Sequence, residues 1–193
     1  YIDCNMPLVK GERVKPLLAA FNGVCAGLNN DIVRRVKETY DAHGIDYDFW
    51  WFDAGWGTDG TGPHSKSGWW YHGVNFEMNF EAFPDGLEWL GKALKREGRD
   101  FMLWCEPEGG RTPPEHLEEF FKAHPQFKRE WFLGTFQKEW GGIILTAQLM
   151  DLGNAECLKW LEERIFEVMD RAEANIFRID FNIPPAQIWA EHD

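Results

Sequence analysis

Along this chain, short apolar runs alternate with stretches whose apolar residues recur every three or four positions. Pro16–Asn22 (PLLAAFN) predicts a first strand, near 17–22. Asn30–Gly44 predicts a helix with Ile32, Val36 and Tyr40 on its apolar face and Gly44 as its stop. Tyr47–Asp53 (YDFWWFD) is nearly apolar throughout, as strands buried on both faces are. Pro84–Gly98 predicts a helix with Asp85 as N-cap, Glu88 completing a capping box and Gly98 at its end. Asp100–Glu106 (DFMLWCE) is the third predicted strand. A helix follows over Thr112–Pro125, with Thr112 capping, Pro113 in first position and Glu115 closing the box. Residues 126–153 read as irregular, apart from a short strand in ILTAQLMDL. Asn154–Ala172 predicts a long helix with Leu158, Leu161, Ile165, Val168 and Met169 on its apolar face. The fourth strand lies near 176–181, and Asn182–Asp193 reads as loop.

Strand then helix, repeated, predicts a parallel α/β sheet. No linker composition divides residues 1–193, so one domain is expected. The segment Gly55–Phe83 has no helical period and is rich in Gly, Trp, Ser and His. A connection this long is usually functional, and Trp69 and Trp70 are stacking candidates or packing residues on equal terms.

Three predicted strands close on an acid: Asp53, Glu106 and Asp180. Parallel β/α sheets gather their ligands at the C-terminal strand ends. An acid just past a strand often caps the next helix, but here the next helix starts many residues later or is missing. A shared functional face explains all three better. Arg178 precedes Asp180 by two, so on a strand both side chains share a face. A cation beside an acid suits a nucleophile whose charge must be kept; a structural ion pair is the alternative. Glu106, with Glu108 beyond Pro107, either touches ligand or orients Trp104 and the neighbouring loops.

Composition narrows the chemistry. Formal net charge is −12, which disfavours nucleic acid and anionic membranes as partners. No apolar run reaches membrane-span length and no signal peptide is visible, so localisation stays open between cytoplasmic and secreted. Cys4, Cys25, Cys105 and Cys157 show no zinc or CxxC spacing, and the histidines no HExxH pattern. Neither metal nor cofactor is expected, and the cysteines are expected free and buried. Eleven Trp and fifteen Phe are the unusual numbers, because Trp56 and Trp104 fall at strand ends beside the acids. Aromatic faces and carboxylates together suit the C–H faces and hydroxyls of a sugar, although an aromatic-rich core has the same composition. Two carboxylates roughly 5 Å apart would serve a retaining glycosidase.

In order along the chain, YDFWWFDAGW, the FPDGL segment, DFMLWCEPE, LMDLGNAECLKWLEERI and FRIDFN resemble motifs of the α-galactosidases of glycoside hydrolase family 36. The resemblance runs from near Leu18 to the end. It implies a (β/α)8 TIM-type barrel, of which about the first four units are present, and a retaining mechanism through a covalent glycosyl-enzyme. It makes Asp180 the nucleophile and puts Asp53 on the hydroxyls of the terminal sugar. Trp56 and Trp104 would line the pocket, with Glu106 beside them, Arg178 standing where the family often has Lys, and Asn182 supporting the sugar. An oligosaccharide or α-galactoside is the implied substrate, and a homo-oligomeric full-length protein is compatible with the pattern. The chain departs from the family at Ala54 (often a second acid), Arg178 (often Lys), Phe76 (often Trp) and Leu145 (where relatives place an Arg).

A full barrel takes about 250 residues. The family's acid/base Asp is accordingly expected beyond residue 193, and no turnover is expected from this chain alone. Two rival readings stand: an α-glycosidase or transglycosidase of the same clan acting on another sugar, and a carbohydrate-binding protein without catalysis.

Overall fold

The computed structural model describes residues 8–13, 16–21, 28–57, 77–107, 109–110, 118, 121–122, 125–140, 143–180 and 185–192. A small hairpin, β1 (Leu8–Val9) and β2 (Glu12–Arg13), precedes the main sheet. That sheet is wholly parallel and has the order β3 (Ala19–Phe21), β4 (Phe49–Phe52), β5 (Asp100–Cys105), β9 (Ile176–Ile179). Each strand lies within the segment whose apolar run predicts it. Helices α1 (Asn30–Ala42), α2 (Glu88–Arg96) and α3 (Ala155–Ala172) lie between the strands in sequence.

Alternation along the strands divides the sheet into two faces. Trp50 and Phe52 of β4, with Phe101, Leu103 and Cys105 of β5, enter the main core with Val33, Leu87, Leu90, Leu94, Val168 and Ala172. The intervening residues, Trp51 and Asp53, Met102 and Trp104, point to the opposite face. The helices are therefore packed on one side, leaving the acids on the other.

The helix ends follow local chemistry where side chains are free to cap. Asn29 Oδ1 accepts the Ile32 N–H at 2.9 Å, and Asn154 Oδ1 accepts those of Glu156 and Cys157 at 3.0 and 3.2 Å. The expected capping box at Asp85 does not form. Gly86 takes a left-handed φ of +61°, and α2 begins only after Leu87, without a side-chain cap. Asp85 is engaged elsewhere: its carboxylate meets Arg34 at 2.7 Å, and its N–H donates to Asn30 Oδ1. On α1 the buried residues are Asn30, Val33 and Lys37, with Ile32, Val36 and Tyr40 packed partly against the core. On α3 the buried stripe is Cys157, Leu161, Val168 and Ala172, while Leu158 is exposed.

The stretch expected to be irregular apart from one short strand is mostly a sheet, and the expected strand is its middle member. A 3-10 turn (Arg129–Trp131) leads into β7 (Phe132–Trp140), which pairs antiparallel with β8 (Ile143–Met150); β6 (Gly109–Gly110) adds to the other edge of β8. Gly141 and Gly142, between the long strands, are the hairpin signal that the sequence offered. Leu145 falls in β8 opposite Lys138. The tail is not all loop either, because α4 (Ala186–Ala190) seats Ile188 against Leu133, Phe136 and Leu149 of the hairpin. The helix expected over 112–125 lies largely outside the described residues.

Candidate active site

Strand register brings the predicted residues together. Phe52 pairs with Leu103, and Trp104 with Arg178, so Asp53, Trp104 and Arg178 lie in one row across three strands. Asp180 follows directly, its N–H bonded to the Cys105 carbonyl at 2.9 Å, which aligns it with Glu106. The row lies at the C-terminal ends of the strands, where the polarity of the peptide chain leaves a parallel sheet open to ligand.

Side-chain bonds tie the row into one cluster. Arg178 reaches both acids: Nη1 lies 3.8 Å from Asp53 Oδ2 and Nη2 lies 3.5 Å from Asp180 Oδ1. The Trp104 indole N–H donates to Asp180 Oδ2 at 2.9 Å. Asp53 Oδ1 accepts the Ala54 N–H at 2.8 Å, and its Oδ2 accepts the Trp51 indole N–H at 2.7 Å. The Arg178 guanidinium also lies over the Trp51 ring, 4.8 Å from its centroid. Asp53 and Glu106 are buried, whereas the Asp180 and Arg178 side chains keep about 30% of their surface (31% and 28%) and face the open side. The accessible groups are thus an acid and a cation in contact, an arrangement able to bind hydroxyls and to present a carboxylate oxygen.

Trp56 behaves differently from the others. It is buried in the main core, and its N–H donates to the Trp104 carbonyl at 2.9 Å, so it braces the end of β5. Trp51 is the site residue that sequence reading passed over. Its signal was present: it precedes Asp53 by two, and alternation puts both on one face. Asn182, with Trp69, Trp70, Phe76 and Glu108, lies outside the described residues, as do Cys4 and Cys25. Cys105 and Cys157 are free and buried as expected. Burial pushes the Cys105 thiol far up and Cys157 up to about 11, so neither offers a thiolate nucleophile at neutral pH. Among the described residues no His, Cys, Asp or Glu cluster could hold a metal, and no helix is long and apolar enough to cross a membrane.

The model for the glycosyl hydrolases family 31 TIM-barrel domain matches residues 22–191. The chain belongs to that family. Its parallel β/α units are therefore part of a glycosyl hydrolase TIM-barrel domain. No curated protein sequence matches significantly.

Solved structures similar to this family 31 chain include α-galactosidases. The Lactobacillus brevis enzyme has a TM-score of 0.58 at 16% identity, over 88% of this chain and 21% of that one. The Thermus thermophilus enzyme, in complex with p-nitrophenyl α-D-galactopyranoside, has 0.58 at 16%, over 86% and 31%. A family 36 enzyme from Geobacillus stearothermophilus, in complex with 1-deoxygalactonojirimycin, has 0.57 at 20%, over 87% and 21%. At these identities the likeness is one of fold. The family 36 resemblance seen in the motifs thus meets a family 31 domain model and family 36 neighbours, and the level common to both is a glycoside hydrolase barrel. The chain spans between a fifth and a third of the length of these neighbours.

Proposed function

We propose that this chain carries the nucleophile side of a retaining glycosidase acting on terminal α-linked galactose-type sugars. One observation carries the reading. Arg178 Nη1 is buried without a hydrogen-bond acceptor among the described residues and lies 3.8 Å from Asp53 Oδ2, while its sister nitrogen faces Asp180. A donor and an acceptor side by side fit a sugar hydroxyl, which both accepts and donates. That hydroxyl would be held next to the carboxylate that attacks.

In this reading Asp180 attacks the anomeric carbon through Oδ1, since Oδ2 holds the Trp104 N–H. The glycosidic bond breaks, its oxygen takes a proton from a second carboxyl, and a glycosyl ester of Asp180 forms. Water, deprotonated by that second group, then cleaves the ester. In this reading the proton donor is a carboxyl outside residues 1–193. Complexes of the Geobacillus family 36 enzyme with raffinose and stachyose support an oligosaccharide as substrate.

The family 31 match favours a second reading, an α-glycosidase or transglycosidase acting on another sugar. Aryl α-galactoside, α-N-acetylgalactosaminide and α-glucoside separate the two; cleavage of the glucoside alone selects the second. Asp180→Asn in the full-length enzyme tests what they share. Hydrolysis is expected to vanish, and undiminished turnover removes Asp180 as nucleophile.

A further inference from the structure

We infer that Trp51 is a positioning residue, one indole that orients the sugar-binding acid Asp53 and at the same time holds Arg178 off it. The inference rests on the proposed glycosidase reading for the roles of Asp53 and Asp180.

The geometry assigns Trp51 two separate contacts. Its N–H donates to Asp53 Oδ2 at 2.7 Å, while the Ala54 N–H occupies Oδ1 at 2.8 Å. Donors on both oxygens fix the carboxylate plane and leave each oxygen a lone pair for a ligand hydroxyl. The Trp51 face carries the Arg178 guanidinium, 4.8 Å from the ring centroid. The ring is steadied in turn by Phe21 of β3, packed edge-on at 5.5 Å and 68°.

The separation of Arg178 from Asp53 is the consequence. Their nearest atoms are 3.8 Å apart, too far for a hydrogen bond, although they are a buried acid and a cation in the same row. Without the indole N–H, Asp53 would turn towards Arg178 and pair with it directly. That pairing would use up the spare Nη1 donor, and with it the hydroxyl site. It would also draw the guanidinium away from Asp180 Oδ1, now 3.5 Å from Nη2. Ala54 offers no second carboxylate to compensate.

The test is a double-mutant cycle in the active full-length enzyme, read as kcat/KM on p-nitrophenyl α-D-galactopyranoside, or on the aryl glycoside that it cleaves best. Trp51→Phe removes the N–H and keeps a ring. It is expected to lower kcat/KM by about 10- to 100-fold, the range for losing a hydrogen bond to a charged group. In an Asp53→Ala background the same change should cost less than about threefold, because the group that Trp51 orients is gone. Trp51→His, whose Nε2 occupies the ring position of the indole Nε1, should recover most of the loss. Trp51→Tyr, bulky but without that N–H, replaces Phe if the Phe variant does not fold. Equal losses in both backgrounds, or no rescue by His, overturn the inference. Failure of the underlying reading looks different, since Asp180→Asn would then leave hydrolysis intact.

Discussion

Trp104 reaches from β5 to the end of β9 and donates its indole N–H to Asp180 Oδ2 at 2.9 Å. The two residues are far apart in sequence, and only strand register makes them neighbours. The bond leaves Oδ1 as the oxygen turned towards Arg178.

Trp104→Phe should therefore lower kcat more than it changes KM. A hydrogen bond to a carboxylate is worth about 1.5–3 kcal/mol, or roughly 10- to 100-fold in rate. Steady-state kinetics on an aryl glycoside give the split. A pure rise in KM would show that Trp104 binds sugar without setting the nucleophile.

Arg178→Lys tests the shared guanidinium. The planar fork serves Asp53 and Asp180 at once and stacks on Trp51, whereas an ammonium is a single point charge. A loss of about tenfold or more in kcat/KM is expected, on the order of one lost charge-assisted bond. Unchanged kinetics would mean that one point charge suffices.

Gly91 marks the closest approach of α2 to α3. A Cβ there would fall inside contact distance of the Ala172 carbonyl oxygen and 2.7 Å from the Glu173 Cβ. Overpacking costs about 1–3 kcal/mol, against about 1 kcal/mol that Ala gains over Gly within a helix. Gly91→Ala should lower the melting temperature, and a rise would show that the helices can part.

Lys37 ties α1 to the end of α2. Its Nζ meets Glu97 Oε1 at 2.7 Å and Asp41 Oδ2 at 2.9 Å, with the Lys side chain 7% exposed. Burial pulls its pKa down, but the bonds to Glu97 and Asp41 outweigh it, and the net direction is up. A raised folded-state pKa stabilises fully below the unfolded value of 10.5 and is lost as pH climbs through the folded one. Lys37→Met should cost about 1–2 kcal/mol at pH 7. Urea unfolding should show that deficit shrinking as pH rises above 10.5, and a constant deficit would assign it to packing alone.

The hairpin β7–β8 shows where reading along the chain stopped short. Its strands pair residue by residue from Gly134 to Trp140, and at their base Leu133 and Leu149 meet Ile188 of α4 while Phe132 and Met150 join a second core around Phe127 and Trp131. Burial on both sides removes the periodicity that announces a strand. The Asp85 cap failed for a related reason. A local rule placed it, and Arg34, fifty-one residues away, claimed its carboxylate.

By itself, the sequence determined the four strands of the parallel sheet, the helices between them, and the acids that end three of those strands. These depend on neighbours a few positions apart. The tertiary structure alone decided that Arg178 stands between Asp53 and Asp180, that Trp104 holds Asp180, and that Trp56 is a brace. Such contacts join residues on separate strands, and they depend on register, which no local pattern encodes.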